Sequence, residues 1–117
     1  RILIMAIKQK KPTLLQVAEA TINGARQQEY GDKLNNFSQI SMLWTGLLAR
    51  KLTSPITPED VALMMINVKA ARLAHNPGHK DSIVDIACYA GCYDKLQEER
   101  GEGTELEGIL VDFGITK

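Results

Sequence analysis

Apolar residues return at intervals of three and four in four stretches of the chain, the spacing that lines side chains along one face of an α-helix. The first stretch carries Leu14, Leu15, Ala18, Ile22 and Ala25, and the second Phe37, Ile40, Trp44, Leu47 and Leu48. In the third, Val61, Met65, Val68 and Arg72 share a stripe with Met64 and Lys69 at its edges, so that a cation interrupts an apolar face. In the fourth the stripe is Ile83, Ile86, Ala87 and Ala90, with Asp81, Asp85, Cys88, Tyr89 and Cys92 on the other side. Thr13 with Gln16, and Thr57 with Asp60, have capping-box spacing, and Pro58 suits a first helical position. Gly31 reads as a helix stop, Asp32 to Asn36 as a polar loop, and Asn76, Pro77 and Gly78 as a sharp turn. The pattern predicts an all-α, four-helix bundle with helices near residues 13–30, 36–50, 58–75 and 80–97. It fills a domain over 13–97, followed at 98–117 by an acidic, Gly-rich linker and a short apolar C-terminal tail.

So short a turn between the third and fourth helices predicts an antiparallel hairpin, in which residues equidistant from Pro77 lie abreast. Arg72 and Asp81 are nearly equidistant from Pro77, as are Lys69 and Asp85, so each cation faces a carboxylate. One reading is a pair of interhelical salt bridges, since half-buried charges need partners. The other is a polar pocket in which the carboxylates hold a divalent cation and Lys69 and Arg72 take phosphates. Arg26, Glu29 and Tyr30 lie at the end of the first helical stretch, where Arg26 is a further phosphate-binding candidate. Trp44 fits packing by its spacing, and with Tyr30 and Tyr89 it is a candidate to contact a base.

Composition narrows the classes. The 117 residues are 44% hydrophobic and 24% charged, enough for one domain with a real core, and the fourteen basic residues equal the fourteen acidic ones. Without a net basic footprint, duplex nucleic acid is not the expected partner. The longest apolar runs fall short of a membrane span or a signal-peptide core, so the expectation is a cytoplasmic protein with no membrane contact, in the host cell if phage-encoded. Met5 is a candidate natural start. Cys88 and Cys92, one helical turn apart, are expected to stay thiols, and His75 and His79 beside them lack zinc-site spacing. Asn36-Phe37-Ser38 is a chance match to a glycosylation sequon, and Asp112-Phe113-Gly114 has none of the other kinase motifs around it. The apolar tail, Ile109 to Ile115, needs a covering surface and points to a homo-oligomer.

The segments ARQQEYGD, NNFSQISMLW, TPEDVALMMINVKAARL and DSIVDIACYAG, in that order, resemble a family of small phage and prophage proteins. More distantly, DSIVDIACYA resembles the acidic helix of MazG-like all-α nucleoside triphosphate pyrophosphohydrolases, with Asp81 and Asp85 at the acidic positions. That resemblance implies a MazG-like helical bundle, usually oligomeric, that holds Mg2+ between helices and takes nucleotides as ligands. The partner helix departs from the family pattern: Glu59 and Asp60 stand at its start as metal-ligand candidates beside Asp81 and Asp85. Lys69 and Arg72 then replace the further carboxylates. The function expected from the resemblance is Mg2+-dependent hydrolysis of a phosphoanhydride bond in a nucleoside triphosphate or related nucleotide. Asp81 and Asp85 position the cation in that scheme, and Lys69 and Arg72 neutralise developing charge. The alternatives are a non-catalytic nucleotide-binding or assembly protein, and a nucleotide kinase-like phosphoryl transferase.

Overall fold

The computed structural model describes residues 11–23 and 27–101, with side chains over 11–22 and 34–101. Among them the chain forms four α-helices and no strand: α1 (Leu14–Asn23), α2 (Gln27–Leu48), α3 (Pro58–His75) and α4 (Lys80–Glu99). A 3-10 turn over Ala49–Lys51 follows α2.

Both capping boxes form. At the start of α1, Thr13 Oγ1 accepts from the Gln16 amide at 3.2 Å while Gln16 Oε1 accepts from the Thr13 amide at 2.9 Å. At the start of α3, Thr57 Oγ1 accepts from the Asp60 amide at 3.1 Å and Asp60 Oδ2 accepts from the Thr57 amide at 2.9 Å. Each box satisfies backbone donors that a helix start leaves without intrahelical partners. Between α2 and α3, Thr45 Oγ1 donates to the Ser41 carbonyl at 2.6 Å and accepts from the Ile56 amide at 2.9 Å, fastening the connection to the helix it leaves.

The expected stop at Gly31 is not one. Residues 31–36 lie inside α2, whose described span begins at Gln27. A glycine inside a helix costs about 1 kcal/mol relative to alanine, which the burial of Leu34, Phe37 and Ser41 in the following turns can offset. The linker also begins later than expected: Glu98 and Glu99 are the last residues of α4, which is capped by Arg100 and followed by Gly101 at φ +70°. Residues 102–117, including the apolar tail, lie outside the described residues.

The core consists of Leu34 and Phe37 from α2, Val61 and Ala62 from α3, and Cys92 and Leu96 from α4. Ile22, Ile40, Trp44, Ile56, Met65, Tyr89 and Tyr93 pack around it. Three buried faces differ from the expected stripes. In α2, Leu47 points to solvent at 81% exposure and Ser41 is buried instead. In α3 the buried pair is Val61 and Ala62, while Val68 and Arg72 are exposed, so the arginine does not interrupt a buried stripe. In α4 the buried residues are Ser82, Cys88, Cys92 and Leu96, the side expected to be polar, and Ala90 is exposed. Small side chains explain this last reversal, because serine and cysteine fill little volume and let neighbouring helices approach, whereas bulk alone had marked the isoleucine side. Ile83 and Val84 instead line a groove of about 320 Å³ shared with Pro12, Leu14 and Val17 at the start of α1. Among the described residues no helix is long and apolar enough to cross a membrane.

Candidate functional site

The tight turn over Asn76 to Gly78 folds α4 back along α3, and the helices pack as the expected hairpin. Lys69 and Asp85, equidistant from Pro77, meet: Lys69 Nζ lies 3.1 Å from Asp85 Oδ2. The lysine side chain is 15% exposed and the aspartate 42%, so the pair joins a largely desolvated cation to a carboxylate that keeps much of its water. The second expected pair is absent. Arg72 and Asp81 are both exposed, and neither makes an ion pair with a described residue.

One turn beyond Asp85, Tyr89 packs its ring on Phe37 of α2, centroids 5.9 Å apart and tilted by 31°. Burial pushes the Tyr89 phenol above its ordinary 10.0, and the Asp85 carboxylate and the nearby Cys92 and Cys88 push it the same way. Lys69, Asp85 and Tyr89 thus form a cation, a carboxylate and an aromatic hydroxyl on two facing helices. Of the other base-contact candidates, Trp44 packs against the core, seven residues from Phe37 on the same helix and so roughly 10 Å along it. Arg26 and the Tyr30 side chain lie outside the described residues.

Glu59 and Asp60 sit at the opposite end of the hairpin. Asp60 is committed to the α3 capping box. Glu59 is buried, and its Oε2 accepts from Gln97 Nε2 at 2.7 Å and from Arg100 Nη1, while Oε1 is buried with no hydrogen-bond partner. Gln97 lies twelve residues beyond Asp85 on α4, roughly 18 Å along the helix at 1.5 Å per residue. The structure therefore brings Asp81 and Asp85 to one turn of α4 and leaves Glu59 and Asp60 apart from them. Among the described residues no three His, Cys, Asp or Glu side chains gather as a metal site.

Sequence reasoning missed Gln97, Arg100 and His79. Arg100 is the one cation between Gln97 and Glu102, a run read as solvated linker, and its partner lies 41 positions away. His79 caps α4: its Nδ1 accepts from the Ser82 amide at 3.3 Å and lies 2.7 Å from Ser82 Oγ. A histidine is outside the usual set of N-cap residues, which is why its position carried no signal. Cys88 and Cys92 are buried and form no disulfide, as their spacing implies.

Residues 13–97 match a domain family of unknown function, DUF6378, and the chain belongs to it. The chain is similar to the Gene 55 protein of Mycobacterium phage L5, 48% identical over 85 residues that cover 73% of this chain and 53% of that protein. It is also similar to the Gene 55 protein of Mycobacterium phage D29, 38% identical over 91 residues that cover 78% of this chain and 58% of that protein. The expected kinship with small phage proteins is thereby established. The chain spans a little over half the length of these curated relatives. No solved structure matches it.

Proposed function

We propose that this member of the family binds a phosphate-bearing nucleotide at the turn-proximal half of the α3 and α4 hairpin, with Lys69 and Arg72 engaging phosphate oxygens. One observation carries the reading: a lysine buried to 15% exposure is answered, among the described residues, by a single carboxylate that is itself 42% exposed. An anion entering there can take over the ammonium without leaving a buried charge behind, because the released Asp85 returns to water. Arg72, exposed on the same helix three residues on, supplies a second cation with a planar fork suited to phosphate. Tyr89, backed by Phe37, offers an aromatic surface beside these charges.

The donor set also suits magnesium arriving with the nucleotide. Asp85 and Asp81 would hold it, two carboxylates being what that ion takes when substrate phosphates and water complete its shell. Bound there, the ion would neutralise phosphate charge. Hydrolysis of a phosphoanhydride bond, which the MazG-like resemblance implies, is the reaction we attach to the site. In it the chain's own cations bind the phosphates and offset the charge that builds on them.

Calorimetric titration and thermal melts with nucleoside mono-, di- and triphosphates, with and without magnesium, test the reading, and chromatography of the mixtures reports any product. Stabilisation should grow with phosphate number and disappear in Lys69→Met. Asp85→Asn should keep phosphate binding and lose its dependence on magnesium. A wild-type protein stabilised by none of these ligands overturns the proposal.

A further inference from the structure

The groove between the starts of α1 and α4 is a second surface, independent of the nucleotide reading. It encloses about 320 Å³ between Pro12, Leu14 and Val17 on one side and Ile83 and Val84 on the other. The exposed Lys80 is its one charged wall residue. Leu14 keeps 40% of its surface in water there, so the groove gains by being filled with apolar side chains. A carboxylate among them would answer the lysine.

An apolar segment stands near each end of the sequence, outside the described residues, and the two differ in charge. Ile2 to Ile7 is followed by Lys8, Lys10 and Lys11, which would crowd Lys80 with like charge. Ile109 to Ile115 carries Asp112 at its centre and follows Glu102, Glu105 and Glu107. Lys80 therefore selects the second segment. Its pattern fits as well, because Ile109, Val111, Phe113 and Ile115 alternate with Leu110, Asp112 and Gly114, which gives an extended stretch one wholly apolar face.

Reach sets the register. Ile83 stands eighteen residues before Gly101 on α4, roughly 27 Å along the helix, and Lys80 roughly 32 Å. Ile109 comes eight residues after Gly101, an extended reach of roughly 26 Å, and Asp112 has one of roughly 36 Å. A return along α4 brings Ile109 level with Ile83 and Asp112 within a side chain's length of Lys80. Gly101, left-handed at φ +70° just past the end of α4, takes the chain off the helix axis, as a return requires.

We propose that Ile109 to Ile115 folds back along α4 into this groove of its own chain and pairs Asp112 with Lys80, strapping α1 to α4. The short linker holds the segment at an effective concentration on the order of millimolar, which favours its own groove over that of another copy.

Thiol labelling of Leu14→Cys in the full chain tests this, with the modified peptide identified by mass spectrometry. The new cysteine should react at least about tenfold more slowly beside the natural tail than beside one carrying Val111→Glu and Phe113→Glu. Lys80→Glu should speed the reaction, and adding Asp112→Lys should slow it again. Ile4→Glu with Ile7→Glu should change nothing, and the rates should not vary with protein concentration. Val84→Cys, on the α4 wall, should give the same ratios, so that the result does not rest on one reporter. Equal rates with natural and altered tails at both reporters, or an Asp112→Lys that restores nothing, overturns the proposal. Protection that falls on dilution also overturns it and assigns the groove to the tail of another copy. Protection lost in the Ile4→Glu, Ile7→Glu variant overturns it in favour of the segment before Lys8.

Discussion

Two ion pairs join α3 to α4, and they are built in opposite senses. Near the start of α3 the carboxylate of Glu59 is the buried member, at 7% exposure, and the cation of Arg100 is open at 41%. Nearer the turn the cation of Lys69 is buried and the carboxylate of Asp85 is open. Glu59 has two donors on one oxygen and none on the other, so if Arg100 leaves, its buried charge is left with Gln97 alone. Asp85 has water as an alternative. The first pair can therefore lock the hairpin, and the second can exchange its partner, which is the property a binding site needs. An ion pair's role depends on which member is desolvated more than on the distance between the charges.

The sharpest way to break this contrast is to remove the cation of the locked pair. Arg100→Met should cost about 2 kcal/mol, within the range for hydrogen bonds to charged groups and below that for a fully buried pair, because Arg100 is itself partly solvated. Urea denaturation gives the value. A cost near zero would mean that Gln97 alone holds Glu59.

The helix starts repeat the contrast on a smaller scale. Thr57→Ala removes the 3.1 Å side-chain cap bond while the residue 57 amide stays on Asp60 Oδ2, and should cost about 1 kcal/mol, whereas His79→Ala removes a longer 3.3 Å cap bond with the 2.7 Å contact to Ser82 Oγ and should cost roughly 0.5 kcal/mol. Equal melting temperatures for the two variants would erase the distinction between the ends.

A double-mutant cycle on Lys69→Met and Asp85→Asn should give a coupling of less than about 1 kcal/mol, as for exposed pairs, because Asp85 keeps its water. A coupling as large as that between Glu59 and Arg100 would make this pair structural and count against an exchangeable site.

The smallest effect concerns Tyr89, whose phenol is raised by burial first and by Asp85 next. Its contribution to stability is fully present below the ordinary phenol value of 10.0 and is lost as pH rises through the higher folded value. Melting curves above pH 10 should fall less steeply in Tyr89→Phe than in the wild type. Parallel slopes would show that the phenol does not titrate differently on folding.

Much of this was readable from residue types. Thr57, Pro58 and Asp60 name a helix start outright, and the turn at Pro77 makes the meeting of Lys69 with Asp85 a matter of counting. What stayed hidden depends on properties that apolar spacing does not encode. The buried side of α4 is made of Ser82, Cys88 and Cys92, chosen for smallness, and a scan for bulk selects the isoleucines opposite. Gly31 is tolerated because the rest of α2 carries it, a balance that one position does not reveal. The partnership of Glu59 with Arg100 spans 41 positions and appears only once both helices are laid side by side.

Cys92 lies completely buried in the core where α4 meets α2 and α3, and Cys88, one turn earlier, is nearly as buried. A thiol reagent must wait for that seam to part before it can react, so the chain carries its own clock for opening. If parting and reclosing are fast compared with the reagent, the labelling rate reports the free energy of the opening that exposes each sulfur. Rates matched to global unfolding would make the hairpin the last part of the protein to come apart, whereas faster labelling would mean that α4 peels away while the rest stays folded. The seam that decides where Lys69 and Asp85 sit can thus be timed without touching either of them.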